Sequence, residues 1–202
     1  MDLSYTTEQR LLQQSVQKYL EDNYGISQRN KLAAAGEGFS RANWQQFAEL
    51  GWLALPFPED AGGIGGTAVD TMIMMEEFGK GLVVEPFLAT VVIAGTAISH
   101  FGNAAQQSEI LSGIIDGRII ATFAYAEAAA HHDLACVETS AVKEGDFYQI
   151  NGTKSVVLNA GSADKILVSA RTSGSTRDSA GITIFIVDAA AEGVSRVDYP
   201  TV

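Results

Sequence analysis

The hydrophobic period of the chain changes once, near Gly117, and that change limits what the sequence can fold into. From Thr6 to Gly117 the apolar residues recur at the spacing that lines one face of a helix. Beyond Gly117 they come as short β-branched and aromatic runs separated by turn residues. The pattern predicts an α+β chain, with an all-helical domain over residues 1–117 and an antiparallel β domain over residues 118–202.

In the first part, Thr6 and Gln9 form a capping-box pair ahead of an apolar face of Leu11, Leu12, Val16, Tyr19 and Leu20, and Gly25 suits a left-handed stop. Ser40 opens a second helix whose inward face is Trp44, Phe47 and Ala48, with Gly51 at its end. A third begins near Thr67 and is expected to bury Val69, Met72, Ile73 and Met75. Glu76 and Glu77 lie about 100° apart on it, so at most one faces inward, and a solvated helix face is the plainer reading. Pro86 fits a first helical position for a segment to Phe101, and Asn103 caps the next, through Ile110, Leu111 and Ile114. The longest apolar stretch, LVVEPFLATVVIAGTAI, contains Glu85 and Pro86 and is short of the ~20 uninterrupted apolar residues of a membrane span. It reads as a buried helix.

In the second part the strand-like runs are IIATFAY, VETSAVK, FYQI, TKSVVL, KILVSAR and ITIFIVD. Turn signals separate them: EGD at 144–146, the loop TSGSTRDSAG, and Asn151-Gly152, read as a hairpin turn rather than a glycosylation site. The last residues, GVSRVDYPTV, still read as strand, which is the pattern expected of a β domain cut short.

Charge and cysteine content narrow the function classes. Lys and Arg number 13 against 24 Asp and Glu, a net charge of −11, and such a balance repels a phosphate backbone, so nucleic acid is not an expected partner. One cysteine forms no intrachain disulfide, and no basic segment followed by an apolar one opens the chain, which points to the cytoplasm. The glycines of PEDAGGIGGTAVD, at 58–70, follow no strand and lack the lysine and serine of a phosphate loop, so a tight interhelical loop is expected. His131, His132, Asp133, Glu127 and Cys136 carry metal-ligand chemistry, but adjacent residues of an extended chain point to opposite faces, and no metal site is assigned. No GxSxG elbow occurs, Cys136 reads as a small core residue, and His100 sits where a cation complements a helix C-terminus.

Several stretches together carry a resemblance. LSYTTEQRLLQQSVQKYL, FAELGWLALPFPEDAGGIGG, EEFGKG, ATFAYAE and YQINGTKSVVLNAGSADKILVSART stand in an order and spacing that closely resemble the acyl-CoA dehydrogenase family. The resemblance implies an N-terminal helical domain, a middle β domain and a C-terminal four-helix domain, of which this sequence has the first two. It implies α,β-dehydrogenation of an acyl-CoA thioester, in which a glutamate takes the α-proton and FAD receives the β-hydrogen as hydride. That glutamate belongs to the C-terminal domain, so no catalytic residue is assigned, and this chain alone is expected to be inactive.

In typical members the flavin rests on a stretch like Tyr-x-Val-Thr-Glu-Pro-Gly-x-Gly-Ser-Asp, followed after a hairpin by Trp-Ile-Thr-Asn-Gly. By resemblance Phe123 takes the Tyr position, Tyr125 the Val, Ala126 the Thr, Ala128 the Pro, Ala129 the first Gly, and His131 and His132 the Gly-Ser pair. Val156 stands for the indole and Leu158 for the second hydroxyl. The cofactor-binding candidates are therefore Phe123, Tyr125, Ala126, His132, Val156 and Leu158, with FAD binding expected to be weak or partner-dependent. The substitutions most resemble small subunits of bacterial heteromeric dehydrogenases of the pimeloyl-CoA type, which pair with a larger homologous subunit. The alternatives are a homo-oligomeric FAD-binding dehydrogenase and a non-catalytic scaffold subunit.

Overall fold

The computed structural model describes residues 4–34, 36 and 38–199. The chain divides into two compact units, residues 1–119 and 120–202.

The first unit is helical. Helix α1, Thr7–Asn23, starts on the expected capping box: the Gln9 amide donates to Thr6 Oγ1 at 3.2 Å, and the Thr6 amide to Gln9 Oε1 at 3.1 Å. Leu11, read as part of the inward face, is exposed, whereas Val16 and Leu20 are buried. Gly25 is not a left-handed stop. Its φ is −66°, and it caps a helix the pattern did not signal, α2, Ile26–Ala33. Helix α3, Arg41–Glu49, begins at Ser40 and buries Trp44 and Phe47, with Gly51 left-handed at φ 76° beyond its end.

Helix α4, Ala68–Gly81, starts at Thr67 through a capping box with Asp70. Its buried face is Ile73, Met74, Glu77 and Phe78, while Val69 and Met72 are about half exposed. The solvated reading of the carboxylate pair therefore fails for Glu77, which is 1% exposed. It accepts from Gln13 Nε2 and from Lys80 Nζ, each at 2.8 Å. Burial raises its pKa, but the Lys80, Gln13 and Gln17 bonds outweigh that and hold it below the usual value. Glu85 is also buried and accepts from the Tyr24 hydroxyl at 2.7 Å and Asn43 Nδ2 at 3.0 Å.

The apolar stretch after Glu85 forms one helical rod, wound as a π-helix over Leu88–Gly95 and as an α-helix over Thr96–Phe101, with His100 in its last turn. No helix among the described residues is long and apolar enough to cross a membrane. The next segment is capped by Asn103 and buries Ile110, Leu111 and Ile114. Phe47 anchors the core, with ring centroids 5.2 Å from Phe78 and 5.1 Å from Trp52, and Phe87 meets Phe78 edge-on at 5.1 Å.

The glycine stretch at 58–70 is the expected tight loop. The amides of Gly63, Ile64, Gly65 and Gly66 donate to the carbonyls of Pro58, Ala54, Phe57 and Leu55 at 2.7–3.0 Å, so they are not offered to a phosphate. A Cβ at Gly63 would lie 2.0 Å from the Phe57 carbonyl oxygen.

The second unit is a five-stranded sheet: β1 Ala121–Ala124, β2 Ser140–Glu144, β3 Phe147–Asn151, β4 Lys165–Arg171 and β5 Ile182–Asp188. The two hairpins, β2–β3 through Gly145 and β4–β5, are antiparallel as expected. The sheet as a whole is mixed, not antiparallel throughout. β1 runs parallel to β4 from Ala121↔Lys165 to Ala124↔Val168, and β2 meets β4 in parallel at Ser140↔Arg171. Hairpins are set by local turn chemistry, but β1 joins β4 only after a long excursion, which permits the parallel sense.

TKSVVL is not a strand, and Asn151-Gly152 is not a hairpin turn. Gly152 serves close approach instead, since a Cβ there would lie 2.4 Å from Thr139 Oγ1. Residues 194–199 carry no strand; 200–202 lie outside the described residues.

Candidate functional site

Two segments meet at the C-terminal end of β1. The Ser155 amide donates to the Ala126 carbonyl at 2.8 Å, and Thr122 Oγ1 to the Leu158 carbonyl at 2.6 Å. Residues 155–158 therefore lie alongside residues 122–126. This brings together five of the six cofactor candidates: Phe123 and Tyr125, with ring centroids 5.7 Å apart, Ala126, Val156 and Leu158. Tyr125, Val156 and Leu158 are 46%, 70% and 46% exposed, so the result is an open apolar platform. His132 lies apart from these bonds, on the exposed turn after Glu127, and neither its imidazole nor that of His131 has a hydrogen-bond partner among the described residues.

The residue after Ala126 has a role the sequence did not reveal. Glu127 is 6% exposed and its carboxylate is saturated. It accepts from Lys154 Nζ at 2.7 Å, Thr139 Oγ1 at 2.7 Å, and the amides of Glu138 at 2.7 Å and Thr139 at 3.1 Å. Lys154 also donates to Ser169 Oγ on β4 at 3.0 Å. Burial pushes the Glu127 carboxyl up, but Lys154, Thr139 and the two amides together pull it down to about 2. One carboxylate thus fixes the start of the 127–136 turn, the lead into β2 and the 154–158 segment. Both buried charges are used in the lattice of bonds, which leaves Glu127 a structural anchor, not a free acid or base. A shallow cavity of about 270 Å³ opens beside it, lined by Ala128, Ala129, Thr139, Gly152, Thr153 and Ser155 among others.

Three residues other than glycine around the site are left-handed: His131 in the turn after Glu127 at φ 51°, Val156 at φ 53° and Asn159 at φ 54°. A β-branched residue is poorly suited to that region. Val156→Gly should therefore stabilise the fold by about 0.5–1 kcal/mol, the relief of left-handed strain exceeding the added chain entropy. Thermal unfolding checks it, and a loss of stability would show that Val156 packs better than its exposure suggests. Among the described residues, no three His, Cys, Asp or Glu side chains are grouped to hold a metal ion. Cys136 is buried, as a small core residue would be.

A helical unit is followed by a mixed five-stranded sheet, with the glycine loop and the anchored turn in place. The chain belongs to the acyl-CoA dehydrogenase family: its N-terminal domain model matches residues 6–118 and its middle domain model residues 122–202. Among curated relatives, the short-chain-specific acyl-CoA dehydrogenase of Clostridium acetobutylicum is 30% identical over 96% of this chain and 51% of its own length. The mitochondrial isovaleryl-CoA dehydrogenase of Pongo abelii is 31% identical over 93% of this chain and 45% of its own. Among solved structures, the ChsE4–ChsE5 complex of Mycobacterium tuberculosis superposes with a TM-score of 0.83 at 31% identity, covering 96% of this chain and 50% of that one. The chain spans about half the length of the relatives it matches.

FAD is the group this family implies, and the residues present fit it in part. Tyr125, Val156 and Leu158 are exposed and Phe123 half-buried, so apolar area is available that a ring face could cover. Ala126 and Leu158 carry no side-chain donor, so hydrogen bonds to the polar edge of a flavin would have to come from the backbone.

Proposed function

We propose that this chain is a subunit of an FAD-dependent acyl-CoA dehydrogenase working in a heteromeric assembly, in which a larger homologous subunit provides flavin contacts that this chain lacks. The observation behind the reading is the platform itself: the backbone path is kept by Glu127 and two cross-segment bonds, while the side chains at Ala126, Val156 and Leu158 have no donors or stacking ring. A relative solved as a complex of two different chains supports it. FAD, when bound, would supply the two-electron acceptor for α,β-dehydrogenation of an acyl-CoA thioester. The residues here would provide an apolar wall and a rigid backbone edge, and none is assigned as the base.

The reading is tested by purifying the protein at its natural full length, with and without its partner subunit, and measuring flavin absorbance per chain. The expected result is little or no flavin in the chain alone and bound flavin in the assembly. One tightly held flavin per chain without the partner would instead favour a homo-oligomeric enzyme that binds FAD through backbone contacts. An assembly without flavin would leave only the scaffold role.

A further inference from the structure

Arg171 ends β4 and is 9% exposed, yet every hydrogen bond of its guanidinium recorded among the described residues goes to a backbone carbonyl. Nε donates to Val137 O at 3.2 Å, and Nη2 to Ala135 O at 2.8 Å, Thr176 O at 3.0 Å and Asp178 O at 3.1 Å. Nη1 donates to Ala180 O at 2.9 Å and more weakly to Ser173 O at 3.4 Å. A buried cation without a carboxylate beside it is costly, so these oriented dipoles must replace its hydration. Holding β4 in place is a poor reason for that cost, because β4 is already paired with β5 from Lys165↔Asp188 to Arg171↔Ile182 and with β1 on its other edge.

The carbonyls come from two stretches without helix or strand. One is 135–137, which closes the turn carrying His131 and His132; the other is the loop 172–181. Two further links among the described residues join the same stretches: the Val137 amide to Thr176 O at 2.9 Å, and the exposed Arg177–Asp133 pair at 3.0 Å. A planar fork of donors can satisfy carbonyls fanned over two segments at once; a lysine ammonium, a compact charge with three donors, cannot span them.

We infer that Arg171 is a positioning residue for the 127–137 turn, locking it to the 172–181 loop so that the loop acts as its outer support. The functional side of this inference rests on the proposal that the turn belongs to the cofactor site. Glu127, at the start of the turn, binds the Lys154 ammonium and the amides of Glu138 and Thr139 just past its end, so the turn is held by two charged residues, Glu127 closing it on itself and Arg171 tying it to the loop.

The test uses the full-length protein with its partner subunit, as wild type, Arg171→Lys and Arg177→Ala, followed by amide hydrogen exchange and by FAD affinity from fluorescence titration. In Arg171→Lys, amides of 133–138 and 173–181 should exchange about tenfold faster or more, while those pairing β4 with β5 keep their protection. FAD affinity should fall about tenfold. Arg177→Ala should leave both within about twofold, as expected of an exposed pair. A variant that fails to fold, or loses protection equally across β4 and β5, overturns the inference, because the role would then be that of a general structural staple. Unchanged exchange at 133–138 overturns it as well. Local release with unchanged FAD affinity keeps the tie but sinks the site reading of the turn, and an assembly that takes up no FAD sinks that reading directly.

Discussion

Glu127→Gln is expected to destabilise the β unit by about 3–5 kcal/mol, the range for removing one partner of a buried ion pair. The side chains of Lys154 and Glu127 are 7% and 4% exposed, so glutamine leaves the ammonium buried with a neutral amide and the Ser169 hydroxyl as its partners. Lys154→Met combined with Glu127→Gln should cost less than the sum of the two single changes, because the double variant buries no unpaired charge. A double-mutant cycle by urea unfolding measures the difference, and additive losses would mean that the two charges do not act as a pair.

The same residue sets a pH dependence. Folding lowers its carboxyl from 4.5 to about 2, so between those values the unfolded chain binds more protons than the native one. The contribution, about 3 kcal/mol by linkage, is complete above pH ~5 and is lost as pH falls through 4.5 towards 2. Wild type should therefore lose stability more steeply over that window than Glu127→Gln does. Parallel curves for the two proteins would assign acid sensitivity to other carboxylates.

Features fixed by neighbours three residues apart could be read from the sequence. The Thr6–Gln9 and Asn103–Gln106 caps are in place, as is the turn at Gly145 between β2 and β3. What failed depended on partners far along the chain. The face of α4 was misplaced because Glu77 counts as polar in any periodicity, and its burial is made tolerable by Gln13, 64 positions earlier, and Gln17 on α1, together with the nearby Lys80. Gly152 was read by its usual turn chemistry, whereas its small size serves contact with Thr139. Glu127 looked like a stray donor in a histidine-rich stretch until Thr139 and Lys154, 12 and 27 positions away, closed around it. The parallel sense of β1 against β4 has no local signature at all. For the site, the sequence reading grouped Phe123, Tyr125, Ala126, Val156 and Leu158 by resemblance, and cross-segment bonds at Ala126 and Leu158 are the physical means of their proximity. Arg171 gave no signal, because a cage of carbonyls leaves no pattern of residue types.

Restoring the side chains that the family's flavin platform normally carries should raise FAD affinity of the full-length chain, measured without its partner, about a hundredfold, equivalent to roughly 2.7 kcal/mol. The variant combines Ala126→Thr, His132→Ser, Val156→Trp and Leu158→Thr. Each recovered hydrogen bond contributes about 1 kcal/mol and an aromatic face about as much, partly offset by ordering of the new side chains. The gain requires an intact backbone path, and the bonds Ser155 N to Ala126 O and Thr122 Oγ1 to Leu158 O are the reason to expect one. Position 156 is the sensitive one, since tryptophan must adopt the φ of 53° that valine holds. Running the set with and without Val156→Trp separates stacking from hydrogen bonding: if the three polar changes alone recover about tenfold, the loss lies in the donors. If none of the variants binds FAD more tightly than wild type although all fold, loss of side-chain contacts is not what limits flavin binding here, and the platform has to be read as a surface for the partner subunit.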